Sequence, residues 1–217
     1  MVITTSPLVM GHRGGRSHRG ALRDLRCPRD TVRHIAARDR CQPQLQAAEL
    51  IPEVSDHTEI PGNRELSNAA CADRIERWFH PYHDAVEKVL AERGARGVQS
   101  IVISIHSMTA ALDGNARPWM MALSSHLDRR LTDPMLAALR LPGDILVSDN
   151  QPYDIDPLAD YSIPFHAIRR GLLHLQVEFR QDLVESAAEQ RQWAARFAKA
   201  LAECTGERDA ASRVSKV

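Results

Sequence analysis

The sequence predicts an α/β fold with a largely parallel sheet, and three observations support this. Short apolar runs rich in β-branched residues alternate with longer amphipathic segments. The length of 217 residues is sufficient for a substantial core in one α/β domain. The composition, 43% hydrophobic and 26% charged, is typical of globular proteins. We therefore expect a folded chain rather than a disordered one.

The charge balance argues against two classes of partner. With 28 basic and 28 acidic residues the formal net charge is zero, whereas nucleic-acid binders and membrane-surface proteins usually carry a basic excess. No apolar run approaches the roughly 20 residues of a membrane span. The four cysteines form no CxxC pair, and the first residues lack a signal-peptide pattern. We expect a cytoplasmic protein that binds neither nucleic acid nor membrane.

The first half of the chain predicts one long helix after irregular segments. A short apolar run over residues 7–10 is followed by an arginine-rich stretch. Residues 51–64 carry two prolines and a glycine and are typical of a loop. Apolar residues then recur at helical spacing from Leu66 to Gly94. We expect Ser67 to cap this helix and Pro81 to kink or split it.

The second half predicts strands separated by helices. Residues 100–106, SIVISIH, are the clearest buried strand. A helix is predicted over 126–140, and two further strands over 145–148 and 174–179. A final amphipathic helix is predicted over 184–204. Polar residues follow the strands, and we expect these strand ends to meet at one edge of the sheet, where α/β proteins bind ligands.

His106 is the strongest single candidate for a functional residue. It ends a buried strand and shares one strand face with Val102 and Ser104. A histidine in this position can be a zinc ligand, a general base or a hydrogen-bonded core residue. The residues alone leave these three interpretations open.

Glu178 is the second candidate, because a carboxylate in the middle of an apolar strand is costly to bury without a partner. That partner can be a metal, a cationic group of a substrate, or Arg180 on the same strand face. In a hydrolase such a glutamate acts as general base and then returns the proton to the leaving amine. Walker A, GxGxxG and GxSxG motifs are absent from the sequence, which disfavours nucleotide binding and serine-hydrolase chemistry.

Several strings taken together are more specific than any of them alone. In order they read IPEVSDHTEIPGNRELS, PYH, ISIHSMT, DGNARPW, DNQPY, YSIPFH and RRGLLHLQVEFRQDL. Over residues 51–204 their order and spacing resemble the N-formylglutamate amidohydrolase family. The resemblance implies a three-layer α/β fold with a mostly parallel or mixed central sheet flanked by helices, as in zinc carboxypeptidases and phosphorylase/hydrolase-like proteins.

The resemblance also implies roles for individual residues. Glu178 matches the family's glutamate in the last strand, the expected general base and acid. Three residues match positions implied to bind substrate, namely Asn63, Arg117 and Arg180. Three others are implied to hold one zinc ion, namely His12, Asp39 and His106.

The N-terminal part departs from the family pattern. Members have Glu-His-Ala-Gly where this chain has Gly-His-Arg-Gly at 11–14, and Asp39 is shifted by one residue. A helix, a strand and an Asn-Arg motif of the family have no counterpart in 40–50. We predict a single domain over 1–204, degraded or divergent within 11–50, and a flexible tail over 205–217.

Taken together, these features predict a hydrolase of amino-acid catabolism that cleaves the amide bond of N-formylglutamate or a similar small N-acyl amino acid. The alternative is a non-catalytic family member that binds a ligand or a partner. The oligomeric state is not predicted by any feature of the sequence.

Overall fold

The computed structural model describes residues 2–5, 50–55 and 57–206. Its strands are β1 (Val2–Thr5), β2 (Val54–Ser55), β3 (Thr58–Glu59), β4 (Ile101–Met108), β5 (Ala111–Leu112), β6 (Asn115–Ala116), β7 (Met121–Ser124), β8 (Val147–Asp149) and β9 (Leu173–Arg180). Its α-helices are α1 (Asn68–Arg74), α2 (His80–Ala95), α3 (Thr132–Arg140), α4 (Ser162–His166) and α5 (Ala187–Thr205). A π-helical turn covers Ile75–Phe79, and 3-10 turns cover Pro61–Asn63, Ile168–Arg170 and Gln181–Leu183.

The main sheet has the strand order β1-β4-β9-β7-β8. Strand β7 runs parallel to β8, with Met121 opposite Val147. It runs antiparallel to β9, with Met121 opposite Phe179. The sheet is therefore mixed and flanked by helices, which confirms the predicted α/β fold class. Two small antiparallel hairpins, β2–β3 and β5–β6, lie outside this sheet.

The chain divides into two compact units. Unit 1 contains Met1–Ser104 and Asp156–Leu172, and its buried apolar residues include Phe79, Val86, Leu90, Val102 and Ile163. Unit 2 contains Ile105–Ile155 and Leu173–Val217, and its buried apolar residues include Met121, Leu123, Met135, Leu175 and Phe197. The single domain expected over 1–204 stays a prediction.

The long helix of the first half is interrupted where Pro81 predicts an interruption. Ser67 caps its start, because its side-chain oxygen accepts a hydrogen bond from the Ala70 N–H. At the π-helical turn the His80 N–H donates to the carbonyl of Ile75, five residues back. Proline has no N–H to continue the ordinary ladder, and α2 resumes regular bonding after it. Gly97, with φ of 67°, follows the helix end in the left-handed conformation.

The sequence missed strand β7. Its residues, Met-Ala-Leu-Ser, are all buried, and the strand lies between β9 and β8. None of the four is β-branched, so neither propensity nor alternation marks them as a strand. The helix predicted over 126–140 begins six residues later, at Thr132.

The C-terminal helix α5 has well-defined ends. Ser186 and Glu189 form a reciprocal capping box at its start, and Gly206 adopts the left-handed conformation at its end. The predicted tail beyond Gly206 lies outside the described residues. Over the part of the chain that is described, no helix is both long and apolar enough to cross a bilayer.

Candidate functional site

His106 lies on β4 and is partly buried. Burial lowers the pKa of its imidazole to about 4. The ring is therefore neutral at pH 7, and a neutral imidazole is the form that binds a metal or accepts a proton. A pKa this far below 7 makes the ring a weak proton acceptor, so this property suits a metal ligand or a core residue better than a general base.

The other two predicted zinc ligands, His12 and Asp39, lie outside the described residues. Among the residues that the structure describes, no group of three His, Cys, Asp or Glu side chains is placed to hold a metal ion. The described residues thus include one predicted ligand, His106, and do not complete a zinc site by themselves.

Glu178 lies in the middle of β9, and only 4% of its surface is exposed. It faces Ala122 across the antiparallel ladder. The sequence left an ion pair between Glu178 and Arg180 open, and the structure pairs Arg180 with Asp182. The Nε and Nη2 atoms of Arg180 donate to the two Asp182 carboxylate oxygens at 2.8 and 3.1 Å.

Arg117 is buried, with 7% of its surface exposed, just after strand β6. Its Nη2 donates a hydrogen bond to the phenol oxygen of Tyr153 at 2.8 Å. The same guanidinium lies over the Tyr153 ring, 5.1 Å from its centre. The backbone carbonyl of Arg117 accepts from Arg180 Nη1 at 3.2 Å. Two of the predicted substrate-binding residues are therefore joined directly.

Asn63, the third predicted substrate-binding residue, belongs to unit 1, whereas the other two belong to unit 2. Its side chain is 2% exposed and is held at both ends of the amide. The Nδ2 atom donates to the Pro52 carbonyl, and Oδ1 accepts from Arg74, both at 2.7 Å. These bonds link Pro52 and Arg74 through Asn63 and so stabilise the local structure. The role of Asn63 in binding substrate stays a prediction.

The polar strand ends do not all meet at one edge of the sheet, as the sequence led us to expect. Because β9 is antiparallel to β7, the Arg180 N–H donates to the Met120 carbonyl, beside the start of β7. The Asn150 N–H donates to the Leu123 carbonyl, near the end of β7. The polar string 178–182 and Asp149-Asn150 therefore lie towards opposite ends of this strand.

Comparison with known proteins identifies the family of this chain. The family model for N-formylglutamate amidohydrolase matches residues 26–185. The chain belongs to this family.

Solved structures support the same fold for this family member. A gene product of Agrobacterium tumefaciens is 29% identical, with a TM-score of 0.73 over 77% of this chain and 66% of that one. An N-formylglutamate amidohydrolase from Ralstonia eutropha is 21% identical, with a TM-score of 0.55 over 73% of this chain. The chain spans 66% and 61% of the lengths of these two structures. No curated protein matches it.

This N-formylglutamate amidohydrolase family member also contains a polar cluster around two buried histidines that the sequence did not predict. His83 Nδ1 lies 2.8 Å from His166 Nε2, and His166 Nδ1 lies 2.6 Å from Glu87 Oε1. Arg170 pairs with the other oxygen of Glu87. We call these four residues the His-Glu-Arg cluster. The PYH and YSIPFH strings contain both histidines, but 83 residues separate them, so their contact has no local signal.

Electrostatics fix the hydrogen-bond directions in the His-Glu-Arg cluster. Burial lowers the pKa of His166, against the opposing effect of the Glu87 carboxylate. Burial raises the pKa of Glu87, but the His166 hydrogen bond and the Arg170 charge outweigh it and leave that pKa below its usual value. A neutral His166 then donates from Nδ1 to Glu87 and accepts at Nε2 from His83.

Proposed function

We propose that this chain hydrolyses the amide bond of N-formylglutamate or a similar small N-acyl amino acid with the help of one zinc ion. Membership of the amidohydrolase family supports the reaction type. The observation that carries the proposal to this substrate class is Arg117, a buried cation whose side chain hydrogen-bonds a phenol. A phenol does not neutralise a guanidinium, and a carboxylate of the substrate would.

Arg117 is the proposed principal contact to the substrate carboxylate. Its planar guanidinium suits a carboxylate because two parallel N–H donors match two oxygens. Arg180 is bound to Asp182 and to the Arg117 carbonyl, so its main contribution is to hold Arg117 in place. Asn63 is a further proposed substrate-binding residue.

Glu178 is the proposed general base and general acid. Its carboxylate takes a proton from the attacking water and gives it to the nitrogen of the leaving amino acid. The C–N bond breaks, and the products are formate and glutamate. The proposed zinc ligands are His106, His12 and Asp39, and a bound zinc ion would polarise the formyl carbonyl and lower the pKa of a bound water.

The test is formate release from N-formyl-L-glutamate by the purified full chain, with metal content measured in parallel. We expect about one zinc per chain, and activity that a chelator removes and added zinc restores. Glu178→Gln should lower kcat at least about 100-fold while zinc content stays unchanged. The matched control is Glu203→Gln, because Glu203 is exposed on α5, and it should keep full activity.

Two outcomes contradict the hydrolase proposal. A zinc-loaded protein that releases no acid from N-formyl or N-acetyl amino acids is not an amidohydrolase. If the same protein binds L-glutamate in calorimetry, the non-catalytic alternative is supported. If Glu178→Gln and Glu203→Gln are equally active, Glu178 is not the general base.

A further inference from the structure

We propose that Tyr153 is a positioning residue that holds the Arg117 guanidinium in place for a substrate carboxylate, and that it thereby sets the preference for acidic substrates. This inference rests on the proposed function of the same site. The sequence contains Tyr153 in the DNQPY string, but the residue was not among the predicted site residues.

The backbone of Arg117 is fixed on both sides of its side chain. Its N–H donates to the Ala110 carbonyl at 2.8 Å, next to the small hairpin β5–β6. Its carbonyl accepts from Arg180, whose guanidinium is held in turn by Asp182. The Cα atom of Arg117 therefore has a defined position, and the freedom that remains is in its long side chain.

The backbone around Tyr153 is fixed independently. Its carbonyl accepts a hydrogen bond from Ser124 Oγ at 2.7 Å, and Ser124 is completely buried at the end of β7. Three residues earlier, Asn150 Oδ1 accepts from the Ser125 N–H at 2.8 Å. The 150–153 segment is thus tied to the end of β7, which gives the Tyr153 side chain a firm base.

The two side chains meet through two contacts of different kinds. The hydrogen bond to the phenol oxygen fixes the position of Nη2, and the ring beneath the guanidinium favours one orientation of its plane. Together they restrict the side-chain torsions of Arg117 before a ligand arrives. A side chain that is already ordered binds its ligand more tightly, because less conformational entropy is lost on binding.

Other arginines of unit 2 show why the identity of the partner matters. Arg129 pairs with Asp149 and Asp133, and Arg196 pairs with Asp144. A carboxylate partner cancels the charge that it positions. Tyr153 positions Arg117 without cancelling its charge, so the guanidinium keeps its attraction for an anion.

The test compares Tyr153→Phe, which keeps the ring, with Tyr153→Leu, which loses both contacts. The KM for N-formyl-L-glutamate should rise about 5-fold in the first variant and about 20-fold in the second, while kcat stays within about twofold. Tyr161→Phe is the matched control because the described contacts of Tyr161 are between rings. It should leave KM unchanged.

Two substrate analogues separate positioning from a general loss of structure. N-formyl-L-glutamine lacks the side-chain carboxylate, and N-formyl-4-aminobutyrate lacks the α-carboxylate. The KM of the analogue without the carboxylate that Arg117 binds should be insensitive to Tyr153→Phe. A merely structural role for Tyr153 would raise both values equally, and that result overturns the inference. So does an unchanged KM for N-formyl-L-glutamate in both Tyr153 variants.

Calorimetric binding of L-glutamate distinguishes failure of this inference from failure of the proposed function. If the wild-type chain binds L-glutamate but releases no formate, hydrolysis is excluded. The positioning role is then supported by weaker binding in Tyr153→Phe and contradicted by unchanged binding. A wild-type chain that neither releases formate nor binds L-glutamate overturns both proposals.

Discussion

The two units hold charged side chains in different ways. In unit 1 the His-Glu-Arg cluster links four side chains in one chain of hydrogen bonds, and its carboxylate faces both an imidazole and a guanidinium. In unit 2 the ring and hydroxyl of Tyr153 hold the buried Arg117, which has no carboxylate partner among the described residues. In the cluster, the Glu87 carboxylate faces a hydrogen-bond donor and a positive charge. Arg117 has a neutral partner and can still bind an anion.

This difference separates a contribution to stability from a contribution to ligand binding. A network whose donors and acceptors satisfy each other contributes to stability, and removing one member is costly because the others lose their partner. A buried charge with a neutral partner lowers stability slightly but contributes to binding when an anion arrives. Four predictions test this separation.

The largest expected effect is on stability in unit 1. His166→Ala removes the central member of the cluster and leaves His83 and Glu87 without this partner. We expect the free energy of unfolding to fall by about 3 kcal/mol, measured by denaturant titration at pH 7. The control is His80→Ala, since His80 forms an exposed pair with Glu76 and should cost about 0.5 kcal/mol or less. Equal costs would contradict the proposed importance of the cluster.

The next largest effect is on binding in unit 2. Arg117→Met should weaken L-glutamate binding about 100-fold, because a charge-assisted bidentate contact is lost. The free energy of unfolding should change by less than about 1 kcal/mol, since a buried charge is also removed. Calorimetry and denaturant titration measure the two quantities, with the exposed Arg130→Met as control. If Arg117→Met greatly lowered the free energy of unfolding and left L-glutamate binding unchanged, Arg117 would have a structural role and the contrast between the two units would be wrong.

A smaller effect is expected at the edge of the cluster. Arg170→Met removes the guanidinium from Glu87 but leaves the two histidines in place. Arg170 is about one-third exposed, so we expect a cost of about 1 kcal/mol. Arg77→Met, which breaks the exposed pair with Asp73, is the reference. If Arg170→Met lowered the free energy of unfolding as much as His166→Ala does, Arg170 rather than His166 would be the most important member of the cluster.

The smallest expected effect is a pH dependence. The folded state lowers the pKa of His166, so its contribution to stability is fully present above the unfolded value near 6.5 and declines as the pH falls towards the folded value. The lowered pKa of Glu87 acts in the same direction at more acidic pH. The stability difference between wild type and His166→Ala should therefore shrink on acidification from pH 7. A difference that grows would contradict this linkage.

The fold was predictable where the pattern is local. The buried strand SIVISIH, the Ser67 cap and the interruption at Pro81 follow from residue type and spacing, and the structure has all three. Strand β7 was not predictable in this way, because Met-Ala-Leu-Ser carries no strand signal. Its position in the sheet depends on backbone hydrogen bonds to β8 on one side and β9 on the other.

The sequence predicted which residues form the candidate site better than it predicted their hydrogen-bond and ion-pair partners. Arg117 and Arg180 were predicted together, and the structure joins them. The partner of Arg180 was not predicted, because Asp182 becomes accessible to it only after β9 gives way to a 3-10 turn. The His83–His166 contact depends on tertiary packing between α2 and α4, and no local sequence rule contains it.

The π-helical turn at Ile75–Phe79 has a consequence for insertions and deletions. Such a turn accommodates one residue more than a regular helix would, and each residue of an α-helix advances the direction of the side chains by about 100°. Deleting one residue here would convert the wide turn into regular α-helix and leave the side chains of α1 and α2 on their present faces. The hydrogen bond between Arg74 and Asn63 and the contact between His83 and His166 should then both remain. Relatives with a one-residue gap at this turn should therefore keep all four residues.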